Sequence, residues 1–84
     1  MVSNKWRSSV KIVGDQNTEL QISSARQAAE YLIMYWPDGV VGRWKHLLAQ
    51  VACLDALEGK CNPEDARQAF EEAAREAGIL VTET

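Results

Sequence analysis

The segment formed by residues 35–44 places the strongest constraint on how this chain can fold. It reads Tyr-Trp-Pro-Asp-Gly-Val-Val-Gly-Arg-Trp and holds three of the six aromatic residues of the chain. Pro37 has no amide hydrogen and disfavours helical angles at Trp36, so one helix is predicted to end just before this point. Gly39 and Gly42 permit backbone conformations that other residues resist. The next helix is therefore predicted to begin near Gly42.

The N-terminal part of the chain alternates in polarity as a β-hairpin does. Apolar residues fall on alternate positions over residues 6–12, with basic and hydroxyl residues between them. A turn cluster at residues 14–17 precedes a second alternating stretch that ends at Ser23. We predict two antiparallel strands with one solvent-exposed face, and Arg7 and Lys11 give that face a basic character.

Two further helices are predicted from their end signals. Ser24, with Gln27 three residues later, is a capping-box pattern that begins a helix ending at the proline break. Asn62 followed by Pro63 is a strong start for the last helix, and Gly78 ends that helix. The three residues after this glycine are apolar and two are β-branched, which predicts a short closing strand.

The helix between them, predicted over about residues 42–58, is apolar around most of its circumference. Large and small apolar residues occupy different sides: Trp44, Leu47, Leu48, Val51 and Leu54 on one, and Ala49, Ala52, Cys53 and Ala56 on another. A helix of this kind is usually central in a fold. We therefore predict that its neighbours wrap it and that His46 lies at its wet edge.

The predicted order of elements gives an α+β fold of type ββαααβ. With 84 residues, 46% of them hydrophobic and 25% charged, the chain is predicted to be one small domain over residues 1–84. Residues 1–5 and 83–84 are predicted to be disordered ends. No apolar run approaches the roughly 20 residues that span a bilayer, and a cytoplasmic location is expected. The net charge of −3 argues against a nucleic-acid partner.

The sequence offers no catalytic, metal-binding or cofactor-binding constellation, so we expect the protein not to be an enzyme. His46 is the only histidine and lies two helical turns from Cys53, about 10 Å away, which is too far for direct proton transfer. Cys61 completes no paired spacing typical of a zinc site. The carboxylates of the last helix alternate with basic residues and are interpreted as a solvated face.

Several short motifs, taken in their order along the chain, resemble a known family. They are Trp36-Pro37, Ala52-Cys53, Ala56-Leu57-Glu58-Gly59, Ala66-Arg67 with Phe70, and Ala73-Ala74 before Glu76-Ala77-Gly78. Together they are similar to the Domain of Unknown Function 982, a family of small bacterial proteins. The resemblance implies the size and approximate architecture of the chain. It implies no activity, cofactor or catalytic residue.

The candidate contact residues for a ligand or partner lie in and beside the mid-chain break: Trp36, Gly39, Gly42, Arg43 and Trp44. The leading hypothesis is a noncatalytic protein-interaction or regulatory module that acts as a homodimer or as a small regulatory partner of another protein, since a small domain gains stability by burying surface in a second copy. The alternative is a small-anion or metabolite site in this loop, with glycine amides and Arg43 as donors. A third hypothesis is nucleic-acid binding by the basic hairpin face.

Overall fold

The computed structural model describes residues 5–14, 18–37, 39 and 43–81. An antiparallel hairpin is followed by three helices, so the predicted α+β class is confirmed. The elements are β1 Lys5–Val13, β2 Glu19–Ser24, α1 Ala25–Met34, α2 Trp44–Leu57 and α3 Pro63–Ala77. None of these helices is both long and apolar enough to cross a bilayer.

The hairpin keeps its apolar positions in register on one face. Val10 pairs with Ile22, and all three of the side chains Val10, Ile12 and Ile22 are buried. An irregularity in pairing between Lys5 and Val10 lets β1 run longer than β2. Lys5 belongs to β1, so the predicted disordered end 1–5 is wrong at that residue. The rest of the predicted ends, residues 1–4 and 83–84, lies outside the described residues.

The predicted C-terminal strand is not formed within the described residues. Leu80 makes one isolated bridge to Ile12, on the edge of β1 opposite β2. Two backbone hydrogen bonds hold the segment: the Val13 amide donates to the Ile79 carbonyl at 2.8 Å, and the Val81 amide donates to the Lys11 carbonyl at 3.0 Å. Over residues 5–81, apart from the undescribed gaps, the sheet therefore has two strands, because the segment after α3 pairs at a single position.

The predicted helix ends are confirmed by their caps. The Ser24 hydroxyl accepts from the Gln27 amide at 3.2 Å, and the Gln27 side chain accepts from the Ser23 amide at 2.8 Å. The Asn62 side chain accepts from the Glu64 amide at 2.9 Å. Gly78 ends α3 in the left-handed region, at φ 75°. Local chemistry thus fixes where α1 begins and where α3 begins and ends.

Aromatic rings supply most of the large volume in the core. Trp6 from β1 lies 5.8 Å from Phe70 of α3, measured between ring centroids. Trp36, just after α1, lies 5.9 Å from Phe70 and 5.3 Å from the His46 ring of α2. Phe70, Ile12 and Leu32 are fully buried, and Trp6 and Trp36 are nearly so. The three helices and the hairpin therefore meet around a short chain of rings.

The prediction that neighbours wrap α2 is wrong. Its buried residues are small or polar, namely His46, Ala49, Cys53 and Ala56. The alanines of this face allow close approach to α3 and α1, the two helices that α2 contacts. The core rings pack against the side of α2 that bears these residues, and its large apolar side faces outward.

The left-handed turn at Gly78 leads the chain back to β1, and we predict that Gly78→Ala destabilises the protein. A Cβ at this position meets no atom within 4 Å, so the cost arises from the φ of 75° alone. We expect a loss of about 1 kcal/mol in the free energy of unfolding, measured by urea titration. Gly39→Ala is the matched control, because its Cβ position is also open and its φ lies outside the left-handed region. Equal losses in the two variants would contradict this account.

Candidate interaction surface

The outward side of α2 carries a row of large apolar side chains. We call this row the α2 apolar stripe: Trp44, Leu47, Leu48, Val51 and Leu54. Their exposed fractions run from 40% at Leu48 to 69% at Trp44. Together they present on the order of 500 Å² of accessible surface, more than scattered exposed residues normally do.

The helical repeat explains why these five residues share one side. Residues three and four apart lie next to each other on an α-helix, and the stripe follows this spacing from its first residue to its last. The buried residues Ala49, Cys53 and Ala56 follow the same spacing on the opposite side. One side of α2 therefore holds the fold together while the other contacts solvent.

The charges at the two ends of α2 are opposite to those that the helix dipole favours. Arg43 is the N-cap and Lys45 is in the first turn, which contains no acidic residue. Asp55 lies in the last turn, where no basic residue is present, and Glu58 is the C-cap. Since a helix is positive at its N-terminus and negative at its C-terminus, each of these charges is placed unfavourably in the isolated chain.

Two of the four end charges have ion-pair partners within the chain. Lys45 Nζ lies 3.3 Å from Glu72 Oε2, and Glu58 Oε2 lies 2.9 Å from Lys60 Nζ. Among the described residues, no ion pair involves Asp55, and the Arg43 side chain is exposed. The stripe is thus bordered by a basic end and an acidic end.

The C-terminal end of α1 exposes more apolar surface. Ile33, Met34 and Tyr35 are each more than 60% exposed. Trp36, the next residue, is buried and packs against His46 near the start of α2. The exposed end of α1 therefore lies near the N-terminal part of α2.

The described members of the predicted contact set differ in burial. Trp36 is 5% exposed and belongs to the core, whereas Trp44 is 69% exposed and begins the α2 apolar stripe. Arg43 and Gly39 are exposed, and Gly42 lies outside the described residues. Of the predicted set, Arg43 and Trp44 lie on the candidate interaction surface.

Sequence reasoning found four more stripe residues but assigned them to the core. The spacing of Leu47, Leu48, Val51 and Leu54 was visible, and it is typical of a helix face that contacts another surface. The spacing alone does not distinguish a core inside the chain from a partner outside it.

His46 is a structural residue buried in the core, so the prediction of a wet edge is wrong. It is 3% exposed, and its Nε2 lies 2.9 Å from the Leu32 carbonyl, which can only accept. The Gln50 side-chain nitrogen lies 3.0 Å from Nδ1 and 3.2 Å from Nε2 of the same ring. These contacts tie α1 to α2 through the imidazole.

The cysteines behave as packing groups rather than nucleophiles. Cys53 is fully buried, and burial raises the pKa of its thiol to about 12, with Cys61 as a smaller cause. The Cys61 thiol donates to the Ala52 carbonyl at 3.5 Å, and its pKa is also raised by burial. Thiolate is the reactive form, so both environments disfavour nucleophilic chemistry near neutral pH.

The basic hairpin face is shallow, and acidic side chains border it. Arg7 and Lys11 help to line an open polar depression of about 550 Å³. Acidic groups lie close by, because Glu64 accepts from the Arg7 amide at 2.9 Å and Glu71 pairs with Arg67 at 3.2 Å. Within the described part of the chain, no three potential ligands are grouped to hold a metal ion.

We predict that the free energy of unfolding falls as the pH rises from 9 towards 12. Above pH 9 the unfolded Cys53 thiol releases its proton, while the folded thiol keeps it until its pKa of about 12. The unfolded state then binds fewer protons than the folded state, so stability decreases with pH, by up to about 1.4 kcal/mol per unit from one thiol. Urea unfolding at several pH values measures the slope. Cys53→Ala should make it shallower, and an unchanged slope would contradict the assignment.

Comparisons with known proteins agree with the architecture. The solved NMR structure of Agrobacterium tumefaciens protein Atu1219 is similar to this chain, with a TM-score of 0.77 and 29% sequence identity. The similarity covers 95% of this chain and 78% of that one. No protein of curated function matches the chain.

The family described as Protein of unknown function (DUF982) matches residues 8–81. The match begins within β1 and ends at the segment that bridges to it, and it includes all three helices. The resemblance found in the sequence motifs is confirmed, and the chain belongs to the DUF982 family.

Proposed function

We propose that this protein is a noncatalytic protein-interaction module that self-associates through the α2 apolar stripe. The observation that carries the proposal is the exposure of five large apolar side chains on one side of one helix. Patches above a few hundred Å² on small proteins are typical of binding surfaces. Trp44 is of the residue type most enriched among interface residues that dominate binding energy.

The size of the chain supports self-association. A domain of 84 residues hides only about 60 to 65% of its unfolded surface, so its own core provides limited stability. A second copy placed on the stripe removes that apolar surface from water. Homodimer interfaces of standard size bury about 800 Å² per partner, and the stripe alone supplies more than half of that area.

The charges beside the stripe favour a second copy as the partner. Each chain carries a basic group, Arg43, at one end of α2 and an acidic group, Asp55, at the other. A surface that holds both signs in this way is complementary to itself. Two copies in antiparallel orientation bring the basic end of one α2 level with the acidic end of the other, and the same arrangement occurs twice.

The chemistry of the core supports a noncatalytic role. His46 is engaged by the Leu32 carbonyl and Gln50, and burial raises the pKa of the Cys53 thiol. Neither group is presented to a substrate. Both cysteines are unpaired, which fits the reducing cytoplasm as the proposed compartment.

The other two functions considered for the chain have less support. An anion at the mid-chain loop would meet Arg43 but not Trp36, because that ring lies in the core. A nucleic acid on the hairpin would meet Glu64 and Glu71 near the basic side chains. Self-association instead uses both predicted contact residues that are exposed beside α2.

We expect Val51→Lys to raise the dimer dissociation constant by at least about tenfold. The side chain is 58% exposed in the single chain, so the substitution leaves the core intact but places a charge in the middle of the contact. Sedimentation velocity across concentration measures the dissociation constant, and thermal unfolding at low concentration checks the fold. Gln68→Lys is the matched control, because it adds the same charge at an exposed position of α3.

The control variant should associate like the wild type. A wild-type chain that stays monomeric at several hundred micromolar would contradict the proposed function. So would equal association of the two variants, because the stripe would then not be the contact.

A further inference from the structure

We infer that the outer face of the hairpin, together with the adjoining side of α3, binds a small organic phosphate. We call this region the basic basin, and its polar lining consists of Arg7, Ser9, Lys11, Gln21, Arg67 and Arg75. The described residues that line it include none from α2. The inference therefore goes beyond the proposed function and does not depend on self-association.

The hairpin forms the floor of the basin. Lys11 lies between two buried residues of β1 and is itself half-buried, while Arg7 is exposed. Lys11 is paired with Gln21 across the hairpin, so these two side chains are neighbours on the outer face. Together with Ser8 and Ser9 they line an open depression of about 550 Å³ that also includes Arg7. Several hydrogen-bond donors of different kinds thus face the same space.

The third helix supplies a second wall. Arg67 Nε donates to the Ser8 carbonyl at 2.8 Å, and its Nη1 lies 3.2 Å from the Glu71 carboxylate. These two contacts hold the Arg67 guanidinium beside β1. A smaller depression of about 210 Å³ lies there, and it is lined by Lys11 as well as by Arg67 and Arg75. Since both depressions share Lys11, they form one continuous basin with a wall that is ordered before a ligand arrives.

The basin is basic although the chain as a whole is acidic. Four basic side chains and one acidic side chain, Glu71, line it, so four positive charges less one negative charge leave +3. The whole chain carries −3. Within the described ranges, no ion pair includes Arg7. A local excess of positive charge of this kind attracts anions to one face of an acidic protein.

Acidic side chains at its two ends limit the length of an anion that the basin accepts. At one end, Glu64 accepts from the Arg7 amide at 2.9 Å. At the other end, Glu19 lies two positions before Gln21 and shares its face of β2. The strand from Arg7 to Lys11 spans at most about 13 Å. A long polyanion would meet both carboxylates, whereas a compact anion would meet neither, so the basin favours a small ligand over a nucleic acid.

A phosphate ester matches the donors present. The guanidinium of Arg7 can bind two phosphate oxygens at once, and the ammonium of Lys11 adds a point charge. The Ser9 hydroxyl and the Gln21 amide can donate to the remaining oxygens. The larger depression, at about 550 Å³, lies within the range of about 300 to 1,000 Å³ that is typical of small-molecule sites. It therefore has room for a polar organic group beside the phosphate.

Titration followed by amide NMR tests the basin, with inorganic pyrophosphate and ribose 5-phosphate as probes at constant ionic strength. We expect saturable shifts at Ser9, Lys11 and Gln21 with both probes. Arg7→Gln should raise the dissociation constants by about fivefold to tenfold, because it removes one charged hydrogen-bonding group from an exposed position. Arg26→Gln is the matched control, since it removes the same charge from an exposed residue of α1 outside the basin. Its dissociation constants should stay within about twofold of the wild type.

Four outcomes would overturn the inference. The first is the absence of saturable shifts up to about 10 mM of either probe. The second is equal weakening by the two variants, which would show a general effect of charge. The third is binding of pyrophosphate without ribose 5-phosphate, which would contradict an organic ligand. The fourth is tighter binding of a thymidine oligonucleotide of about twelve nucleotides at the same resonances, which would indicate a nucleic-acid site.

The two proposals fail separately. A wild-type chain that stays monomeric but binds both probes at the basin would overturn the proposed self-association and leave the phosphate site. A dimer whose basin resonances do not move would do the reverse.

Discussion

The packing of Trp36 is the contact on which the rest of the structure depends. Its ring centroid lies 6.0 Å from that of Tyr31, 5.9 Å from that of Phe70 and 5.3 Å from that of His46. Trp36 therefore joins the end of α1 to both other helices. Pro37 makes this packing possible, because a proline disfavours helical backbone angles at the residue before it, which is Trp36. The ring of that residue turns into the space between the helices. The side of α2 that faces these rings buries Ala49, Cys53 and Ala56 together with the imidazole of His46.

The parts of the fold that depend on local chemistry could be predicted from the sequence. The hydroxyl of Ser24, the amide of Asn62 and the absent side chain of Gly78 act within three or four residues, and the helix ends lie where these residues place them. The alternation of the hairpin is equally local. The C-terminal segment was less predictable, because its pairing depends on an edge of β1 that is almost seventy residues away in sequence.

The orientation of α2 could not be predicted because it depends on volumes supplied elsewhere. Both sides of this helix are apolar, so hydrophobicity does not say which one faces inward. The orientation of α2 depends on Trp6, Trp36 and Phe70, which come from three other parts of the chain and pack together in the core. The placement of His46 has the same origin, since its partner is the carbonyl of Leu32 on another helix. The sequence periodicity identified the row of large apolar residues on α2, and only the packing of the core shows that this row is exposed.

The division of α2 into a small buried side and a large exposed side has a consequence for function. The buried alanines of α2 hold this helix close to its neighbours, and the outward residues of α2 take no part in that packing. The α2 apolar stripe is therefore not required by the fold of the single chain, and its exposure is unfavourable in water. The end charges of α2 are also unfavourable in the single chain, because they oppose the helix dipole. The first of these unfavourable features disappears if a second copy covers the stripe, and burial of that apolar surface is the physical basis of the proposed self-association.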